Sequence, residues 1–110
     1  MVVLREIADA ISLAREATAG LDYEDFEADR IRNAATQRAL EIVSEAVRHL
    51  PPDITDRHPN LPWKEIRAIG NKLRHEYHRV DAKTIWDIVK FELYALDAVV
   101  AAELDAPLAP

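Results

Sequence analysis

Apolar residues recur at three- and four-residue intervals from the start of the chain. Val2, Val3, Leu4, Ile7, Ile11, Leu13 and Ala14 keep this spacing, which predicts an amphipathic helix from Val2 to about Ala19. Gly20 stands where such a helix stops, since a residue without Cβ takes the left-handed C′ conformation freely. The stretch LDYEDFEAD reads as a turn that enters a second helix, Asp25 to His49, whose apolar positions are Phe26, Ile31, Ala34, Ala35, Leu40, Ile42, Val43, Ala46 and Leu50. Pro51-Pro52 ends it, because proline lacks the amide donor and restricts the residue before it. PPDITDRHPNLP is a Pro-rich connector with room for one helical turn. Pro62 suits the first position of a third helix, Trp63 to about Tyr77, and Asp81 suits the N-cap of a fourth, Ala82 to about Leu104. Long helices with short connections predict an all-α fold: an antiparallel up-down bundle of four main helices with short extra helical turns. Residues 1–110 form one domain, with 105–110 as a frayed tail.

The fourth helix carries two exceptions to its pattern. Its buried face would use Ile85, Trp86, Ile88, Val89, Leu93, Leu96, Val99, Val100 and Leu104. Glu92 falls inside that sector and Phe91 outside it. A carboxylate there requires water at the edge of the core or a cation of the third helix, and periodicity does not choose between them. A helix apolar round so much of its circumference points to a homodimer interface beside the core, unless the excess is only alanine.

Composition narrows the function. The net charge of −6 argues against a broadly basic nucleic-acid coat, although it permits a local basic patch. With no cysteine, neither a disulfide framework nor a thiolate metal site is available. No apolar run approaches the roughly 20 residues of a membrane span, and MVVLREIADA has no leader-like apolar region. A cytoplasmic protein with no membrane association, no cofactor and no bound metal is expected.

The chemistry concentrates in PWKEIRAIGNKLRHEYHRVD, Pro62 to Asp81. On a wheel of about 100° per residue, Trp63, Ile66, Ile69, Leu73 and Tyr77 share a packing sector. Arg67, Asn71, Arg74, His75 and His78 share an adjoining one, and Gly70 lies between the two. Histidine moves protons near neutral pH, arginine offers forked donors to phosphate, and asparagine orients a tautomer or a substrate oxygen. Such a stripe suits cleavage of an RNA phosphodiester without metal. It equally suits a solvated helix end, where the macrodipole alone favours cations. A His75/His78 metal pair has nothing near it in sequence to complete the shell. His49 and His58, in or beside the connector, read as surface residues, and Trp63 and Trp86 as core.

GNKLRHEYHRVD resembles the signature of the HepT-like proteins of the HEPN superfamily, in which Arg-Asn-x-Leu-x-His-x-Tyr is followed by Asp. LREIADAISLAREATAGLDYEDFEAD, ATQRALEIVSEAVRHLPPDITDRHPNLPWKEI and IWDIV are also similar to that family's segments, in the same order, so the likeness covers nearly the whole chain. The resemblance implies a helical bundle that dimerises and brings two motif copies into a shared cleft. It implies a metal-independent endoribonuclease, the toxin of a toxin–antitoxin pair, silenced when a minimal nucleotidyltransferase antitoxin adenylylates the motif tyrosine.

Residue by residue, His75 takes the place of the catalytic histidine, Asn71 that of the motif asparagine and Tyr77 that of the modified tyrosine. The motif arginine does not carry over, because Gly70 occupies its position. Arg74 one turn on, Arg67 one turn back, or Arg79 just past the helix would have to supply that charge, with Arg67, His78 and Arg79 as further phosphate contacts. Otherwise the chain is a catalytically impaired dimeric partner of a nucleotidyltransferase that binds nucleotide or RNA. Ser44 stands where the family commonly has glycine, a substitution expected to leave helix packing unaffected.

Overall fold

The computed structural model describes residues 2–75 and 81–105, and every element in them is helical. The order is α1 (Val2–Thr18), α2 (Tyr23–Ala28), α3 (Arg30–Val47), α4 (Pro52–Arg57), α5 (Trp63–His75), α6 (Ala82–Asp87), a π turn (Ile88–Glu92) and α7 (Leu93–Asp105). Gly20 ends α1 with φ +76°, as its position predicts. The connector carries its single turn as α4, and α6 continues through the π turn into α7, so four long helical runs make the up-down bundle.

The expected second helix is two helices. Asp29 closes α2, its own N–H donating to Phe26 O at 3.2 Å, and it opens α3 by accepting the Arg32 N–H on Oδ1 at 2.9 Å. Its extended backbone (φ −97°, ψ 97°) breaks the run between two stretches that share one hydrophobic period. Asp22 and Asp81 cap α2 and α6 in the same way, each at 2.8 Å. Removing the cap at position 29 with Asp29→Ala is expected to cost about 1 kcal/mol, read as a lower urea midpoint at constant m-value.

α1 packs against α3 and α7, α3 also carries α5, and α2 closes one end against α6. Leu4, Ile7 and Ile11 meet Leu40, Val43 and Val47 in a core continued by Val89, Leu93, Leu96 and Val100. Phe26 and Tyr23 hold α2 against Trp86, with ring centroids at 5.3 and 6.1 Å. Trp63 and Trp86 are buried, in line with their sequence positions.

The π turn accounts for Glu92, one of the two exceptions on the fourth helix. The Leu93 N–H bonds to Ile88 O, an i→i+5 closure that rotates the chain less per residue than an α turn. Glu92 is thereby carried out of the apolar sector and is exposed, on the rim of a groove that also includes Lys72, with no ion pair closing between them. Of the two accounts the sequence left open, solvent is the one realised. Phe91 is outward-facing, as its position predicts.

Candidate functional site

α5 separates its faces as the wheel predicts. Trp63, Gly70 and Leu73 are buried, Ile66, Ile69 and Arg67 are half-buried, and Asn71, Arg74 and His75 are exposed together on the last turns. Three of the site residues read from sequence, Asn71, Arg74 and His75, thus share one open face, and Arg67 borders it. Tyr77, His78 and Arg79 lie outside the described residues.

Gly70 lies against Ser44 of α3 and beside Arg74. The Gly70 N–H donates to Ser44 Oγ at 2.9 Å, and the same hydroxyl donates to Arg67 O at 2.8 Å. A Cβ placed on Gly70 would stand 2.9 Å from Ser44 Oγ and 3.1 Å from Ser44 Cβ. Such approaches require something to shift, so a side chain at position 70 conflicts with the serine of α3. The next neighbour is Arg74 Nη1, at 3.5 Å. The Arg74 guanidinium therefore lies beside the position that a residue-70 side chain would leave from.

Positions 44 and 70 meet across the α3–α5 contact, so Ser44 is itself a packing residue of that contact. A side chain at position 70 needs the serine to shift. Arg48, at the end of α3, was absent from the sequence reading. Its Nη2 donates to the same Arg67 carbonyl at 3.4 Å, so it adds a cation next to α5. Arg74 also lines a groove of ≈ 310 Å³ with Arg38, Glu41, Glu45, His49 and Glu6, between α1, α3 and α5. Glu41 pairs with Arg38 at 3.4 Å, and Glu45 with His49 at 3.4 Å and Arg48 at 3.9 Å. His49 is exposed, as read from sequence.

His58 departs from the surface position expected of it. It is half-buried, with Nε2 2.8 Å from Glu103 Oε2, and Arg57 holds the same carboxylate through Nη2 at 2.6 Å and Nε at 3.2 Å. Trp63 Nε1–H donates to His58 O at 2.9 Å, so the connector is tied to both α5 and α7. The hydrogen bonds from Arg57 and then His58 hold the Glu103 carboxyl well below its ordinary 4.5, at about 2. A carboxylate depressed on folding stabilises the fold above its unfolded value and loses that contribution as pH falls. Melting temperature is therefore expected to fall as pH drops from about 4.5 towards 2, with a shallower fall in Glu103→Gln, measured by thermal melts across that range.

Among the described residues, no group of three or more His, Cys, Asp or Glu side chains is placed to hold a metal ion, and no helix is long and apolar enough to cross a membrane.

The fold and the α5 face together define an all-helical domain with a histidine, an asparagine and an arginine displayed on one helix end. The model of the HepT-like family, described as ribonuclease HepT-like, matches residues 7–103, and the chain belongs to that family. A relative from Thermococcus cleftensis, named "Probable ribonuclease HepT", is 40% identical over 93 residues, 84% of each chain. A "Putative RNase" of Caldanaerobacter subterraneus subsp. tengcongensis is 36% identical over 94 residues, covering 86% of this chain and 84% of its own. Another so named, from Methanocaldococcus jannaschii, is 38% identical over 91 residues, 83% of this chain and 75% of its own. No solved structure matches the chain.

Proposed function

We propose that this protein is a metal-independent endoribonuclease that cuts RNA on the face of α5 bearing Asn71, Arg74 and His75. The observation that carries the proposal is that Arg74 lies beside Gly70 and shares the exposed face with His75. In the reaction the 2′-oxygen attacks phosphorus and the 5′-oxygen leaves, giving a 2′,3′-cyclic phosphate. A base takes the 2′-OH proton and an acid returns one to the 5′-oxygen. His75 performs one of these transfers, and His75 of a second copy performs the other in a cleft shared by a homodimer. Arg74 neutralises charge on the non-bridging oxygens, and Asn71 orients the imidazole or a phosphate oxygen. Arg67, His78 and Arg79 contact flanking phosphates.

Phe91 and Tyr94, 70% and 64% exposed on the outer side of the last helical run, support a self-association face. The role is that of a toxin whose partner, a minimal nucleotidyltransferase antitoxin, silences it by adenylylating Tyr77. An added phosphate and base beside Arg74 and His75 would block the cleft by charge and bulk. The burial of Gly70 under Ser44 favours a second reading, a dimer that binds RNA or nucleotide as a nucleotidyltransferase partner without cutting. Purified protein, shown by intact mass to carry no adenylyl group, is expected to cleave RNA in EDTA. Cleavage that stops in EDTA and returns with a divalent cation would refute the metal-independent mechanism.

A further inference from the structure

Three polar side chains are buried among the described residues: Thr18, Thr36 and Ser44. Two of them satisfy themselves within their own helices. Thr18 Oγ1 donates to Ala14 O at 3.0 Å and Thr36 Oγ1 to Arg32 O at 2.8 Å, the usual local outlet for a hydroxyl in a helix. Ser44, only 1% exposed, instead directs its hydroxyl into a different helix, where it both donates and accepts. It donates to Arg67 O and accepts from Gly70 N, bracketing one turn of the α5 backbone. Gly70 admits it, since a Cβ would stand 2.9 Å from the oxygen.

We infer that Ser44 is a positioning residue whose hydroxyl, seated against Gly70, fixes the rotation and axial setting of α5 and thereby the placement of Arg74 and His75 for phosphodiester cleavage. The inference rests on the ribonuclease reading for its catalytic part, while its structural part stands without it. A hydrophobic contact alone lets a helix slide or turn by small amounts. A hydroxyl that donates to one backbone group and accepts from another three residues on resists both movements, since either lengthens one of the two bonds. Asn71, Arg74 and His75 follow within one and a half turns of Gly70, so a displacement there is carried directly to the reacting groups.

Ser44→Ala, Gly70→Ala and the double variant Ser44→Gly/Gly70→Ala test this beside the wild type. Three quantities are read: melting temperature, kcat and KM for RNA cleavage, and amide hydrogen exchange along α5. In Ser44→Ala, which keeps the Cβ and loses only the oxygen, kcat is expected to fall at least tenfold with KM within twofold. Exchange at Gly70 should rise at least tenfold while α1 is unchanged. Gly70→Ala should lower both melting temperature and kcat. The double variant takes the hydroxymethyl group off position 44 and puts a methyl on position 70, which removes the clash without restoring the hydroxyl, so melting temperature should recover while kcat stays low. Full recovery of kcat in the double variant would show that Ser44 matters only for space and overturn the inference, as would unchanged exchange at Gly70 in Ser44→Ala. A wild type that cuts no RNA would instead refute the ribonuclease reading, and the exchange data would still decide whether Ser44 holds α5.

Discussion

His75→Ala is expected to lower RNA cleavage by about 100- to 10,000-fold, the range typical for losing a positioned proton-transfer group. The fold should hardly change. His75 is exposed at the last described residue of α5, so its removal leaves no cavity and exposes no core. The loss to stability is that of an exposed surface side chain, within about 0.5 kcal/mol. Cleavage rate and urea midpoint measured on one preparation separate the two effects. A large drop in rate with a near-wild-type midpoint places the defect in chemistry. A parallel fall in both would mean that His75 supports the fold of α5 rather than the reaction.

The largest expected effect on stability lies where α2 packs on α6. Phe26 is fully buried and packs on Trp86 at 5.3 Å, and it is the main apolar anchor of the six-residue α2. So short a helix has no stability of its own, because nucleation is unfavourable and few bonds follow it. Phe26→Ala is expected to cost about 3–5 kcal/mol. Against a total of about 5–15 kcal/mol for a domain of this kind, that is about a fifth of the margin at the least. Denaturant unfolding followed by tryptophan fluorescence reports it directly, since Trp86 is the partner lost. A cost below about 1 kcal/mol would mean that the α2–α6 contact is not part of the cooperative core.

The bundle was legible in the sequence because its helices are long, periodic and separated by Gly20, Pro51-Pro52 and Pro62. Asp81 was legible as a cap by the same logic that applies at Asp29, where an uninterrupted hydrophobic period hid the break between α2 and α3. The π turn was not legible: Glu92 marked a conflict in the pattern, and periodicity could not say how it resolves, while Phe91 faces outward as a regular helix already places it. The face shared by Asn71, Arg74 and His75 followed from spacing alone. Two things did not. The Arg57–Glu103–His58 cluster joins residues 46 apart in the chain, and the contact between Ser44 and Gly70 spans 26. Read singly, Gly70 is a missing arginine and Ser44 a harmless small residue. Read together, they are one contact, in which a serine on α3 closes on a glycine of α5 and Arg74 lies alongside.

Single-turnover cleavage of RNA by Arg74→Ala, set beside Arg67→Ala and the wild type in EDTA, tests most directly whether Arg74 has taken the role absent at position 70. Arg74→Ala should lose about 100- to 1,000-fold in rate, as removal of one donor from a developing oxyanion does. Arg67→Ala should lose far less, since Arg67 is half-buried at the border of the face. Wild-type cleavage by Arg74→Ala would contradict the account. A wild type that binds RNA and leaves it intact would contradict it as well, and would make Gly70 the mark of a relative that binds without cutting.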